Sequence, residues 1–495
     1  MRYISTRDKS VNLTSAQAIA QGLSRDGGLF VPEYIPRLPE GSVKELCAMT
    51  YQQRAVYIMK MFLEDYSVSE LQEFTAKGYG PAKFDTPAVA PVKKLDDGTF
   101  FLELWHGPTC AFKDMALQML PFLLTSALVK TGEKREVCIL VATSGDTGKA
   151  ALEGFCDVDR TKIMVFYPKD GVSDVQKLQM TSQSGNNVGV CSVIGNFDDA
   201  QTGVKIIFSD EKLREELTEK GYFLSSANSI NWGRLLPQVV YYISAYCDLI
   251  NTGDIKEGDK INFCVPTGNF GDMLAGYYAK HMGLPVNKLI CASNANDVLT
   301  DFIKTGTYDK NRSFHTTISP SMDILVSSNL ERLLFILSGG DDKETAGYMK
   351  SLNEAGNYTV SDKIKEGVTS EFACGCCDDE ATKALISKTF KENGYLIDTH
   401  TAVAYDVLNS YRAETGDNTP AVVVSTASPY KFCDSVLDAL GDKSDLDGVA
   451  LIDRLEEVSG STAPNPLSSL KNKTPRFTDY TEKQDMISVV RNFLK

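Results

Sequence analysis

An α/β fold with largely parallel sheets is predicted by two observations. From about residue 96 the chain repeats strand, loop, helix, with short apolar runs at 137–143, 162–167, 187–194, 260–266 and 289–292, most of them followed by a helical pattern. The loops after these runs are also unusually rich in small residues, and in such folds ligands bind outside the carboxyl ends of strands. The chain has 495 residues, too many for one compact core, and its formal net charge of −14 offers no basic excess to meet phosphate backbones or anionic membranes. The N-terminus MRYISTRDKS has no apolar leader and no apolar run approaches spanning length, so a cytoplasmic protein is expected, with no nucleic-acid or membrane partner. Its twelve cysteines, scattered through such a chain, suit reduced thiols. Cys374, Cys376 and Cys377 lack the spacing of a zinc site and are expected as solvent-side free thiols.

In chain order, residues 1–95 mix short strands and helices, with a Gly27-Gly28 turn before LFVPEYIP and a helix expected over 42–64. The run 101–105 is apolar and extended, and Gly107-Pro108 signals a turn. Met115 onward reads as a buried helix, in which Pro121 implies either a kink or a boundary. Lys113, in GPTCAFKD, therefore sits near a helix start among apolar neighbours. Burial and a helix N-terminus both weaken an amine's hold on its proton, which suits a nucleophile, a base or a Schiff base to pyridoxal phosphate. For any single lysine, a surface position with its stem over apolar neighbours is the commoner case.

After VCILVAT comes Ser144-Gly-Asp-Thr-Gly148, and after INFCVPT comes Gly268-Asn-Phe-Gly-Asp272, each opening a helix. Small residues there let backbone amides approach an anion. Neither fits GxGxxG or GxxxxGK[ST], so nucleotide chemistry lacks its glycines and lysine. A third loop, Ser425-Thr-Ala-Ser-Pro429, follows the run AVVV, and is equally readable as a capped turn. Asn231 and Arg234 are candidates for a substrate anion. The four histidines, His106, His281, His315 and His400, lack metal-binding spacing, so no metal is expected, and the absence of GxSxG leaves serine hydrolysis without support.

Taken in order, WHGPTCAFKD, ATSGDTG, NSINWGR, PTGNFGD, SPSMDILVSSNLERLLF, DTHTAVAYD and STASPYKF, with SRDGGLFVPEYIP near the start, resemble threonine synthases, pyridoxal-phosphate enzymes of fold type II. The resemblance runs from the first residues to about 435. It implies two lobes of open twisted sheets at 96–225 and 226–435 and an extra N-terminal domain at 1–95; beyond it, residues 436–495, rich in Asp, Ser and Lys and ending in the amphipathic QDMISVVRNFLK, read as a C-terminal tail packed on the body. The resemblance further implies that Lys113 carries pyridoxal 5'-phosphate and then moves protons, that Gly268, Asn269, Phe270, Gly271 and Asp272 hold the cofactor phosphate, and that Thr426 meets the pyridine nitrogen. Asp146, often asparagine in related enzymes, would face the ring oxygen, where a carboxylate repels unless one group is protonated. Ser144, Thr147 and Gly148 would meet the substrate carboxylate, and Asn231 and Arg234, with Asp114 as a further candidate, its phosphate. The implied reaction converts O-phospho-L-homoserine and water into L-threonine and phosphate in a monomer or homodimer. Three rivals differ from it: a phospholyase or dehydratase releasing 2-oxobutanoate, a silent binding protein on the same fold, and a kinase, which lacks its lysine motif.

Overall fold

The apolar runs become the strands of two sheets in the computed structural model, which describes residues 1–169 and 172–495. A six-stranded sheet has the order Phe372–Cys376, Val286–Ser293, Ile261–Pro266, Ala421–Ser425, Thr99–Glu103, Val92–Asp96, parallel except for its last pair. A five-stranded sheet has the order Tyr480–Thr481, Val188–Val193, Thr161–Pro168, Glu136–Ala142, Tyr222–Ser225, and every pair is parallel. The central strands Ile261–Pro266 and Ala421–Ser425 are buried along their whole length. Helices cover both faces, which is why these strands are continuous apolar runs with no alternation.

Sheet membership departs from the expected lobe boundaries. Thr99–Glu103 lies beside Ala421–Ser425, so the large sheet takes strands from both 96–225 and 226–435. The C-terminal segment does more than pack on the body: Tyr480–Thr481 edges the small sheet, and Met486 and Val490 enter its apolar core beside Val204 and Ile207. The strand 101–105 is shifted to Thr99–Glu103, because Trp105 has already left the ladder. The segment 340–380, which offers no motif, supplies the edge strand Phe372–Cys376; Cys377 is buried, Cys374 half-buried and Cys376 alone of the three exposed.

Local chemistry explains two other differences. The helix expected over 42–64 is two helices, Ser42–Cys47 and Tyr51–Phe62, because Thr50 and Gln53 form a reciprocal capping box that starts a new one. Pro121 marks a boundary, not a kink: one short helix ends at Leu117, and Pro121 sits in the first turn of Leu120–Lys130, where its missing N–H costs nothing. The N-terminal residues are fixed to the large sheet's helices by an aromatic cluster in which Tyr3 and Phe62 lie 5.5 and 5.7 Å from Trp232.

Candidate functional site

At the carboxyl ends of both sheets lies a cavity of about 1260 Å³. Its organising element is the turn after Thr99–Glu103. The carboxylate of Asp114 closes this turn by accepting from the backbone N–H and the hydroxyl of Thr109, both at 2.8 Å. A Cβ on residue 107 would stand 2.6 Å from that carboxylate, so glycine is required there. The turn is sewn to the next strand end, with Phe112 N–H donating to Thr426 O at 2.8 Å and Ser428 N–H to Cys110 O at 3.1 Å. Cys110 adopts φ 58°, a left-handed conformation that a non-glycine residue holds only when its surroundings impose it.

Lys113 leaves this turn into the cavity, 8 % exposed, its amine 4.3 Å from the centre of the Phe112 ring. Burial lowers its affinity for a proton; Asp146 opposes that, and Lys431 and Arg234 add to the lowering. The amine lies 3.5 Å from Asp146 Oδ2 and 3.3 Å from Ser321 Oγ. The other oxygen of Asp146 accepts from Gln176 Nε2 at 2.8 Å and pairs with Lys431 Nζ at 2.8 Å. Burial alone would raise the Asp146 carboxyl, but Lys431 and then Lys113 outweigh it and hold it well below the usual carboxylate range. Ser321 is placed by its backbone N–H, which donates to His400 Nε2 at 3.1 Å; His400 Nδ1 faces Asp398 Oδ2 at 2.8 Å, which fixes the ring as an Nδ1–H donor.

Across the cavity, Gly268–Asn269–Phe270 lead into the helix Gly271–His281. Among the described residues, none of the backbone amides from Gly268 to Asp272 donates to a protein acceptor, so the loop offers its donors to a guest. Phe270 is left-handed at φ 61°, and a Cβ on Gly268 would stand 2.9 Å from Ser321 O, so the loop is shaped as a cradle. Asp272 accepts from Tyr241 and Tyr242 hydroxyls at 2.5 and 2.7 Å, while its second oxygen has no partner among the described residues. Burial pushes this carboxyl up to about 6. The free amides, the glycine cradle and the aimed amine fit a phosphorylated carbonyl compound such as pyridoxal phosphate.

Ten expected residues meet in this cavity together with Arg234: Lys113, Ser144, Asp146, Thr147, Gly268, Asn269, Phe270, Gly271, Asp272 and Thr426. Arg234 is 4 % exposed, donates Nη1 to Ala227 O at 2.8 Å, and its Nε has no partner among the described residues; burial brings its guanidinium down to about 10, still cationic at neutral pH. Three candidates are corrected. Asn231 does not line the cavity: its side chain accepts from Gly233 N–H at 2.9 Å and donates to Ile19 O at 3.0 Å, capping a helix and tying it to the N-terminal residues. Gly148 spends its amide on Thr143 Oγ1 at 2.9 Å and lies against Val165, so it packs a helix on a strand. Asp114 is consumed by the lysine turn, and burial pushes its carboxyl up to about 6. Sequence reasoning missed Lys431, Ser321 and His400; all three lie in the quoted segments STASPYKF, SPSMDI and DTHTAVAYD, and that placement was their one signal.

Three family models match the chain: threonine synthase N terminus over residues 2–79, pyridoxal-phosphate-dependent enzyme over 82–376, and threonine synthase C-terminal over 401–493. Threonine synthase-like 1 of Homo sapiens is 42 % identical over 435 residues, 86 % of this chain, which spans 58 % of that protein's length. Threonine synthase of Pseudomonas aeruginosa is 40 % identical over 437 residues, 88 % of this chain and 90 % of the relative. Among solved structures, the pyridoxal-phosphate-bound threonine synthase of Brucella melitensis superposes with a TM-score of 0.88 at 37 % identity, covering 100 % of both chains. Threonine synthase from yeast gives 0.88 at 34 %, covering 99 % of this chain and 97 % of that one.

Proposed function

This chain belongs to the threonine synthase family, and from that premise we propose that it is a pyridoxal-phosphate-dependent lyase converting O-phospho-L-homoserine and water into L-threonine and phosphate. The observation that carries this reading is the convergence in one cavity of a buried lysine amine, a loop of uncommitted amides and the Thr426 side chain. Bound there, the cofactor supplies an electron sink for the charge left when a substrate carbon loses its proton.

The chain's own residues do the rest. Lys113 would hold the cofactor at its carbonyl carbon and is placed to be the base that takes and returns protons at the α and β carbons of the substrate; its burial favours the neutral amine that this work needs. The amides of Gly268 to Asp272 would hold the cofactor phosphate, and Thr426 would offer its hydroxyl to the ring nitrogen. A hydroxyl cannot protonate that nitrogen as a carboxylate can, which tempers the electron sink. Ser144 and Thr147 meet the substrate carboxylate at the opening of their helix. Arg234, with Nε still to be used, meets the phosphate that leaves the γ carbon. No helix among the described residues is long and apolar enough to cross a membrane, and we place the chain in the cytoplasm as a monomer or homodimer.

Purified protein supplied with pyridoxal phosphate and O-phosphohomoserine is expected to release threonine and phosphate in equal amounts, and Lys113→Ala to abolish turnover while keeping the parent's melting temperature. Phosphate matched by 2-oxobutanoate would assign a phospholyase instead, and normal turnover by Lys113→Ala would remove the lysine from the mechanism.

A further inference from the structure

Lys431 is the largest investment at the site that the reaction does not call upon. Its side chain is fully buried, which strongly disfavours an ammonium unless it is paired and hydrogen-bonded. Here it donates to Thr109 O at 2.8 Å and Gln179 Oε1 at 3.1 Å and pairs with Asp146 Oδ1 at 2.8 Å. These partners come from the lysine turn, the helix Asp174–Thr181 and the start of the helix Asp146–Phe155. One cation thus joins three separate elements around Lys113 without lining the cavity itself.

We propose that Lys431 is a positioning residue that sets the protonation of Lys113 by neutralising Asp146 through the oxygen Lys113 does not use. The inference rests on the proposed function only for its purpose; the charge arrangement stands without it. Were Lys431 absent, Asp146 would be a buried carboxylate whose one remaining cation is Lys113, and it would hold that amine as an ammonium, useless as a nucleophile or base. With Lys431 present, the Asp146–Lys431 pair carries no net charge and behaves toward its surroundings as a polar neutral group. This removes the repulsion expected between a carboxylate and a ring oxygen at that place.

The charged and titratable groups facing Lys113 are Asp146 on its helix, Lys431 beyond it, Arg234 on Trp232–Thr252, Asp272 on Gly271–His281, and His400 behind Ser321. Asp114 faces Lys431 from the turn. Of these, Lys431 alone touches the carboxylate that touches Lys113.

The test is competitive labelling of the cofactor-free protein with trace acetic anhydride across pH, reading the Lys113 peptide by mass spectrometry. In Lys431→Met the labelling midpoint of Lys113 is expected to rise by about one unit or more, the size of shift a nearby opposite charge produces. Lys431→Arg should stay within a few tenths of the parent. A folded Lys431→Met protein with an unchanged midpoint overturns the proposal. Should Lys431→Met alone fail to fold, Asp146→Asn/Lys431→Met, in which no unpaired charge is left buried at this pair, is compared with the parent. A midpoint within a few tenths of the parent's supports a pair that Lys431 keeps neutral toward Lys113, and a midpoint displaced by about one unit or more overturns it. No turnover is measured, so failure here is separate from failure of the threonine synthase reading.

Discussion

Two carboxylates at the site are protonated more readily than ordinary ones, and they differ in what they touch. Asp114 is spent on the lysine turn, whereas Asp272 faces the cavity from the first turn of its helix. A carboxyl raised from about 4 in the unfolded chain to about 6 in the folded one stabilises the fold fully below pH 4 and loses that contribution as pH rises through 6. Asp272→Asn keeps an acceptor for Tyr241 and Tyr242 and should remove this slope. Denaturant unfolding without cofactor is expected to find the variant more stable than the parent above pH 6, by up to about 3 kcal/mol at 1.36 kcal/mol per unit, and equal to it near pH 4. A difference independent of pH would mean that Asp272 is not the titrating group. At this scale the sequence exposed residues whose chemistry is local: Lys113 in its motif, the glycine loop, and Thr426 after a strand. It hid Lys431, because a lysine in a PYKF segment looks like any surface lysine until the helix Asp174–Thr181 covers it.

Among elements, the lysine turn depends on a helix that carries none of its residues. Gly154, on Asp146–Phe155, lies so close to the short helix Asp114–Leu117 that a Cβ there would stand 2.1 Å from Leu117 O, a backbone atom with little freedom to move. Gly154→Ala is expected to destabilise the protein by about 1–3 kcal/mol and to cost turnover as well, because the turn that yields is the one that aims Lys113. Parent-like turnover in a destabilised variant would show that the turn tolerates the shift. Most strands of the six- and five-stranded sheets were legible, since a strand buried on both faces is a continuous apolar run. Tyr222–Ser225 was not, being short and half-buried at the edge of the small sheet, nor was Phe372–Cys376, whose pattern includes Gly375 and three partly exposed residues.

For the whole molecule, order along the chain is a poor guide to neighbours. Lobes at 96–225 and 226–435 were expected, but pairing between Thr99–Glu103 and Ala421–Ser425 is set by register and burial, which no local pattern reveals. The same holds for Tyr480–Thr481 on the small sheet, whose neighbourhood Arg476 also ties down by donating to Gly185 O at 2.6 Å. Ending the chain after Asn472 is therefore expected to loosen the small sheet while sparing the large one. Limited proteolysis should then cut first within 136–225, and a cleavage pattern unchanged from the parent would show that the terminal strand and helix are dispensable.

The place of Ala421–Ser425 between Ile261–Pro266 and Thr99–Glu103 also governs how the protein is made. During vectorial synthesis the ribosome has produced more than four-fifths of the chain before this strand emerges. Until then the two halves of the large sheet present bare hydrogen-bonding edges toward each other, each an invitation to pair with another nascent chain. The last strand to enter that sheet is the keystone of an arch, and the interval before it arrives is when holding chaperones have the most to protect.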